Sequence, residues 1–168
     1  HLVLDPVMVA TSGARLLQPD ALDAMRQRLL PLATVITPNL PEASLLLAQP
    51  IDSPESMHAA CARFLEAGVR AVLLKGGHRP VQAAPDTIID LLADASGVHA
   101  IQHPRLPLEA HGTGCSLASA VAAGLALGKS LDGACRDASD YVHRALVRGY
   151  RPGKGDVIVL DHFGAAAG

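Results

Sequence analysis

The segment His111–Cys115, which reads His-Gly-Thr-Gly-Cys, combines two chemical capacities at the start of a predicted helix. Gly112, Thr113 and Gly114 leave their backbone N–H groups unobstructed, and the N–H groups of a first helical turn have no acceptor within the helix. Together with the helix dipole they favour an anion, such as a phosphoryl group in transfer. The same field favours the thiolate form of Cys115, which then accepts a proton. The segment therefore predicts phosphoryl transfer onto a hydroxyl group.

A purely structural interpretation of the same segment stays open. A Gly-x-Gly sequence at a helix start more often forms a tight turn than a phosphate site. A single cysteine on a helix of small residues is usually a buried hydrophobic side chain. The remainder of the chain has to distinguish the two interpretations.

Length and composition favour one α/β domain spanning residues 1–168. Apolar residues make up 49% of the sequence, but there are only two Tyr and two Phe and no Trp. This balance is typical of helices packed on a parallel sheet.

The net charge of −2 gives no reason to expect nucleic acid or an anionic membrane as a partner. No apolar run approaches the roughly 20 residues that span a bilayer, and three scattered cysteines fit neither a disulfide framework nor a zinc site. We expect a soluble, cytoplasmic protein.

Strand and helix signals alternate along the chain and predict a mostly parallel sheet flanked by helices, with antiparallel strands at one edge. Strands are predicted at 2–4, 34–37, 70–75, 87–92, 98–103 and 157–160, and helices at 19–30, 41–47, 54–67, 113–127 and 131–148. The first helix is expected to carry Leu22, Met25, Leu29 and Leu30 on one side. Residues 165–168 are expected to form a loose tail. Because the chain enters a buried strand at once, we expect an N-terminal part of the fold to be missing.

Polar residues follow the predicted parallel strands, at the sheet edge where such folds bind ligands. They are Asp5 after the first strand, Thr37 and Asn39 after the second, and Lys75 with Gly76 and Gly77 after the third. Glu42 follows at the start of the next helix. We expect these groups and the Cys115 helix start to gather along one rim. They match what phosphoryl transfer needs, namely a few carboxylates for Mg²⁺, a cation for the phosphates and a base for the acceptor.

Structural roles also fit several of these residues. Asp5 precedes Pro6 and suits a turn, and Glu42 complements the dipole of its helix. The histidines at 78, 99, 103 and 143 show no metal-ligand spacing. Cys61 and Cys135 lie within predicted helices, where we expect them to be packed.

Four motifs together resemble a known family. They are Asp5-Pro6-Val7-Met8, Thr37-Pro38-Asn39-Leu40-Pro41-Glu42, Leu74-Lys75-Gly76-Gly77-His78 and His111-Gly112-Thr113-Gly114-Cys115. They occur in this order in the hydroxymethylpyrimidine/phosphomethylpyrimidine kinases of thiamine biosynthesis, members of the ribokinase-like superfamily. The similarity extends from Val3 to about Tyr150. Family members carry an N-terminal segment with a Gly-rich loop, to which nothing here corresponds, so the resemblance implies a C-terminal portion of such a kinase.

The resemblance implies that ATP phosphorylates 4-amino-5-hydroxymethyl-2-methylpyrimidine and then its monophosphate, with Mg²⁺ as cofactor. By the same resemblance Cys115 is the general base, and Gly112, Thr113 and Gly114 form the anion hole. The remaining roles fall to Asp5 and Glu42 near Mg²⁺, to Asn39, Lys75 and Gly76 at the ATP phosphates, and to Val7 near the pyrimidine. The implied partner is a small-molecule pyrimidine, and family members are commonly homodimers.

Two alternatives remain. Most sugar kinases of the superfamily place Asp at the position of Cys115, but a subgroup of pyridoxal kinases also has Cys there, so a pyridoxal or pyridoxine kinase is the first alternative. The second is a kinase-like remnant that binds nucleotide without turnover. The tail departs from the family pattern, because Lys154–Leu160 precedes Asp161-His162-Phe163 where relatives often have a Gly/His-rich segment. No adenine contacts are assigned for that reason.

Overall fold

The structure, a computed structural model, describes residues 1–8, 16–77, 86–108 and 110–166. These residues divide into two compact units, His1–Gln102 and His103–Gly168, which are described separately below. His78, the last residue of one predicted motif, lies outside the described residues. The single domain over residues 1–168 stays a prediction.

The described residues contain five strands, which form one sheet in the order β1-β2-β3-β4-β5. The strands are β1 (Val3–Leu4), β2 (Val35–Ile36), β3 (Ala71–Leu74), β4 (Thr87–Asp94) and β5 (Gly97–Pro104). β2 lies parallel to both β1 and β3, with Ile36 opposite Leu4 and Val72, whereas β3 and β4 are antiparallel. A two-residue turn joins β4 to β5, a connection that only antiparallel strands allow. The predicted α/β fold, parallel first and antiparallel at the edge, is confirmed.

In the first unit, helices connect each parallel strand to the next along the chain. They are α1 (Pro19–Ala24), continued by a π-helical segment (Met25–Leu29) and a 3₁₀ turn (Leu30–Leu32), then α2 (Leu40–Leu47) and α3 (Pro54–Glu66). α3 begins where the Ser53 hydroxyl accepts from the Ser56 N–H at 3.1 Å. It ends at Gly68, whose φ of +87° only glycine adopts freely.

The prediction that Leu29 lies on the same side as Leu22, Met25 and Leu30 is wrong. This side chain is 41% exposed, whereas Leu30 is buried and Leu22 and Met25 are half-buried. The cause is the π-helical segment, because its wider turn shifts the following residues away from the 3.6-residue spacing on which the prediction depended.

A single aliphatic core fills the first unit beneath α2 and α3. It includes Ile36, Met57, Phe64 and Leu74, each at most 2% exposed. β3 is buried along its whole length, as expected for a parallel strand covered on both faces. The polar residues that follow β1, β2 and β3 therefore emerge from an apolar interior.

The second unit is helical and contains α4 (Thr113–Ala126), α5 (Leu131–Val147) and α6 (His162–Ala166). α4 and α5 approach closely, since a Cβ atom on Gly124 would lie 3.0 Å from the Ala134 Cβ. The predicted strand at 157–160 is wrong, because Ile158 and Val159 form only isolated bridges. α6 was not predicted, and it includes the first two residues of the expected loose tail. Within the described residues, no helix is both long and apolar enough to cross a membrane.

The two phenylalanines of the chain offer a matched test of this core. Phe64 is 1% exposed and Phe163 is 91% exposed. Phe64→Ala should lower the free energy of unfolding by about 3–5 kcal/mol, since it leaves a cavity in packed core. Phe163→Ala should change it by less than about 0.5 kcal/mol. Urea unfolding measures both, and equal effects would contradict the assigned core.

Candidate active site

Asp5 lies directly after β1 and is the acceptor shared by two neighbouring strand ends. Its Oδ1 accepts hydrogen bonds from Lys75 Nζ at 3.1 Å and from the Thr37 hydroxyl at 3.0 Å. The Asp5 and Lys75 side chains are only 14% and 15% exposed, and Thr37 is fully buried. The carboxyl ends of β1, β2 and β3 thus meet at one partly buried ion pair, which we call the rim.

The start of α2 brings Asn39 and Glu42 to the same rim. The Asn39 side chain accepts from the Glu42 N–H, and the Glu42 carboxylate accepts from the Asn39 N–H, both at 2.8 Å. This reciprocal capping box satisfies two N–H groups of the helix start. Glu42 also receives a backbone hydrogen bond from Met8, so it joins the loop after β1 to α2.

Glu42 is buried, at 4% exposure. Burial raises the pKa of its carboxyl group, although the hydrogen bond from Asn39 and the Lys75 charge act in the opposite direction. Asp5 adds to the rise, because the two negative charges repel each other. The Asp5 carboxylate therefore lies close enough to Glu42 to disfavour the charged form of Glu42.

Gly76 contributes to the rim through its backbone. The Lys75 N–H donates to the Pro38 carbonyl at 2.9 Å, and the Gly76 N–H donates to Asp90 Oδ1 at 2.8 Å. A Cβ atom on Gly76 would overlap the carbonyl oxygen of Ile89. Glycine is therefore required here for the close approach of β4.

Asp90 is the residue that the sequence analysis missed. It lies on β4, 7% exposed, and burial raises its pKa to about 6, against the opposing effects of the Gly76 N–H and the Lys75 charge. The available signal was an acidic residue within the otherwise apolar run 88–92. An acid at such a position needs a partner inside the protein.

The donor set at the rim fits Mg²⁺. This ion is commonly held by one or two carboxylates together with waters and substrate phosphates, and Asp5 and Glu42 supply the carboxylates. The hydrogen bonds described for Asp5 fall on Oδ1. Among the described residues no group of three or more His, Cys, Asp or Glu is arranged to hold a metal.

Val7 projects from the loop after β1. Its side chain is 44% exposed, between the buried residues Pro6 and Met8. Its N–H donates to the Asp5 carbonyl at 2.9 Å. The tight turn therefore leaves an apolar side chain exposed two residues after Asp5.

The second unit contains the Gly112–Cys115 segment. Gly112 has a φ of +81° and precedes the first turn of α4, where Ser116 donates the first helical hydrogen bond to the Gly112 carbonyl at 3.0 Å. Thr113 and Gly114 lie before that bond, so their N–H groups have no acceptor within the helix. The first turn carries no acidic residue. The segment has the form of an anion-binding helix start.

Cys115 differs from the other two cysteines. It is exposed in the first turn of α4, whereas Cys61 and Cys135 are buried in α3 and α5. Burial raises the pKa of both buried thiols to about 12. The interpretation of Cys115 as a buried hydrophobic side chain is therefore wrong, and the packing predicted for Cys61 and Cys135 is confirmed.

An open groove of about 850 Å³ begins at Cys115 and Ser116 and follows α4 and α5 within the second unit. Small side chains such as Ala120 and Ala134 line part of it, and the Tyr141 hydroxyl and His162 Nδ1 are 2.8 Å apart at another part of its wall. Its volume lies in the range of small-molecule sites. That Cys115 shares a rim with Asp5 stays a prediction.

The sequence of the chain matches one family. The family model described as phosphomethylpyrimidine kinase matches residues 1–160. A hydroxymethylpyrimidine/phosphomethylpyrimidine kinase of Streptomyces coelicolor is 45% identical over 95% of this chain and 58% of its own length. The chain thus spans little more than half of this relative.

Two solved structures share the fold. A pyridoxal kinase from Staphylococcus aureus, in complex with AMP-PCP and pyridoxal, has a TM-score of 0.82 and 34% identity, with 96% of this chain and 57% of that chain covered. A phosphomethylpyrimidine kinase from Clostridium difficile has a TM-score of 0.71 and 34% identity, with 84% and 55% covered.

The buried Asp90 predicts a stability change with pH. Its pKa of about 6 in the folded protein exceeds the ordinary value of 3.8, so the folded state holds the proton more tightly. As pH rises from about 4 to about 6 the wild type should lose roughly 3 kcal/mol of stability relative to Asp90→Asn, and the difference should then stay constant. Urea unfolding between pH 4 and 7.5 tests this. Parallel profiles for the two proteins would contradict it.

Proposed function

This chain belongs to the phosphomethylpyrimidine kinase family, and we propose that the complete protein uses ATP to phosphorylate 4-amino-5-hydroxymethyl-2-methylpyrimidine and then its monophosphate in thiamine diphosphate biosynthesis. The observation that carries the proposal is the exposed Cys115 in the first turn of α4, directly after the left-handed Gly112. A proton acceptor and an anion-binding backbone thereby occupy the same turn.

Cys115 acts as the general base. Its thiolate, favoured by the field of the helix start, removes the proton from the acceptor hydroxyl of the pyrimidine. The acceptor oxygen then forms a bond to the γ-phosphorus as the bond to the ADP oxygen breaks, and ADP leaves. Gly112, Thr113 and Gly114 hold the negative charge of the moving phosphoryl group through their N–H groups.

The rim residues act on the nucleotide. Lys75 and Asn39 contact the ATP phosphates, and Gly76 allows the turn that carries Lys75. Asp5 and Glu42 are the carboxylates that would hold Mg²⁺. When bound, Mg²⁺ neutralises charge on the phosphates and so favours their transfer.

By the family resemblance Val7 contacts the pyrimidine ring, and its exposed side chain is available for this contact. The proposal includes a cytoplasmic homodimer, as the family resemblance implies. A pyridoxal kinase is the competing function, since the Staphylococcus aureus enzyme that covers most of this chain is one. The Streptomyces coelicolor relative, at higher sequence identity, favours the pyrimidine.

A substrate panel tests the proposed function. The complete protein with ATP and Mg²⁺ is assayed against hydroxymethylpyrimidine, its monophosphate and pyridoxal. We expect the two pyrimidines to give the highest kcat/KM. Preference for pyridoxal would overturn the substrate assignment, and nucleotide binding without turnover of any of the three would favour the non-catalytic remnant.

Replacement of the proposed base gives a second test. Cys115→Ala should lower kcat by roughly 100-fold or more, because general-base catalysis contributes at least that much, and should leave ATP binding nearly unchanged. Cys61→Ala is the matched control, since it removes a thiol packed inside α3, and its kcat should stay within about twofold of the wild type. Steady-state kinetics measure both. Wild-type turnover in Cys115→Ala would remove the residue from the mechanism.

A further inference from the structure

We propose that Asp90 is a positioning residue for nucleotide binding: by accepting the Gly76 N–H, its carboxylate fixes the turn that directs Lys75 toward the ATP phosphates. This inference rests on the proposed function, and it concerns a residue on β4 outside the four motifs that carried the family resemblance.

The register places Asp90 at the point where the chain leaves the sheet. β3 and β4 pair from Ala71 opposite Asp94 to Leu74 opposite Leu91. The next pair in that register is Lys75 opposite Asp90. Beyond it, the Gly76 N–H donates to the Asp90 side chain at 2.8 Å. A side-chain acceptor thus holds the first residue after Lys75.

The turn is also fixed from its other side. The Lys75 N–H donates to the Pro38 carbonyl in a bridge between Lys75 and Asn39. Gly76 lies so close to the Ile89 carbonyl that a Cβ atom has no room. The N–H groups of Lys75 and Gly76, at the end of β3, are therefore both hydrogen-bonded, the first to the Pro38 carbonyl and the second to Asp90. The direction of the Lys75 side chain follows from them.

Burial of an acidic side chain at this position disfavours folding. The neighbouring β4 residues Ile89, Leu91 and Leu92 are apolar, and Asp90 itself is almost fully buried. An apolar residue of similar volume would avoid the desolvation of a carboxylate, so a buried charge is weak support for a purely stabilising role. Its partners, the Gly76 N–H and the Lys75 charge, belong to the proposed phosphate site.

Lys75 is consequently held between two carboxylates. Asp5 contacts the ammonium group directly at 3.1 Å. Asp90 lies within range of the Lys75 charge, which lowers the Asp90 pKa, and accepts the N–H of the next residue. Loss of the Asp90 acceptor releases the backbone that orients Lys75, while Asp5 and the loop that carries Val7 stay in place. Loss of the Asp90 acceptor should therefore weaken the binding of ATP and leave the binding of the acceptor substrate unchanged.

The test compares Asp90→Asn and Asp90→Ala in the complete protein. Asp90→Asn retains an oxygen that accepts the Gly76 N–H, and its KM for ATP should stay within about threefold of the wild type. Asp90→Ala removes the acceptor, and its KM for ATP should rise roughly tenfold, with an unchanged KM for the pyrimidine. Leu92→Ala is the control, because it truncates a buried side chain on the same strand. It should lower stability without changing the KM for ATP.

A double-mutant cycle separates positioning from general damage. If Asp90 acts through the Lys75 turn, Asp90→Ala should weaken nucleotide binding much less in a Lys75→Ala background than in the wild type. Additive effects would overturn the proposal. If Asp90→Asn weakens nucleotide binding as much as Asp90→Ala, the proposal is also overturned. The charge of Asp90, and not its hydrogen bond to Gly76, would then be responsible for the binding.

Direct nucleotide binding keeps this test independent of the proposed substrate. Calorimetric titration with ADP and with AMP-PCP measures the same variants even if the protein does not phosphorylate the pyrimidine. Hydrogen exchange of the Gly76 amide, followed by NMR in the wild type and in Asp90→Asn, covers the case in which Asp90→Ala does not fold. Slow exchange of the Gly76 amide in both proteins supports its hydrogen bond to the side chain at position 90. Rapid exchange in the wild type overturns the proposal.

Discussion

The ion pair between Asp5 and Lys75 is the contact on which the rim depends. Parallel strands buried on both faces end in an apolar interior, so the charged groups that follow them lose water and must pair with each other. Lys75 lies within electrostatic range of Asp5, Glu42 and Asp90. Three carboxylates around one ammonium group leave an excess of negative charge when all are ionised. Burial relieves part of it by raising the pKa of Glu42 and Asp90, and a divalent cation would relieve more.

The second unit meets the opposite electrostatic requirement. The first turn of α4 offers backbone N–H groups, a left-handed glycine and no acidic side chain, so it favours negative charge. Phosphoryl transfer needs both arrangements: carboxylates for a metal and amides for the phosphoryl oxygens.

Individual elements show how far the sequence could predict this structure. Pro54 and Gly68 mark the ends of α3, because the φ preferences of proline and glycine decide where this helix begins and ends. Leu29 was misplaced, since helical periodicity does not reveal a π-helical segment. The bridges of Ile158 and Val159 were predicted as a strand, because a short apolar run has no partner visible in sequence. Asp90 was missed for the same reason: its partner is the Gly76 amide, 14 residues away.

The sequence by itself determined the α/β class, the family, the rim residues Asp5, Asn39, Glu42 and Lys75, and the helix start that carries Cys115, since residue types, spacing and motif order contain that information. Only the tertiary structure decided which of these groups are desolvated and which hydrogen bonds they make. It showed that Glu42 serves the capping box, that Gly76 is required by the approach of β4, and that Asp90 belongs beside Lys75. Burial and long-range pairing arise when distant segments pack together, and neither is a property of a local pattern.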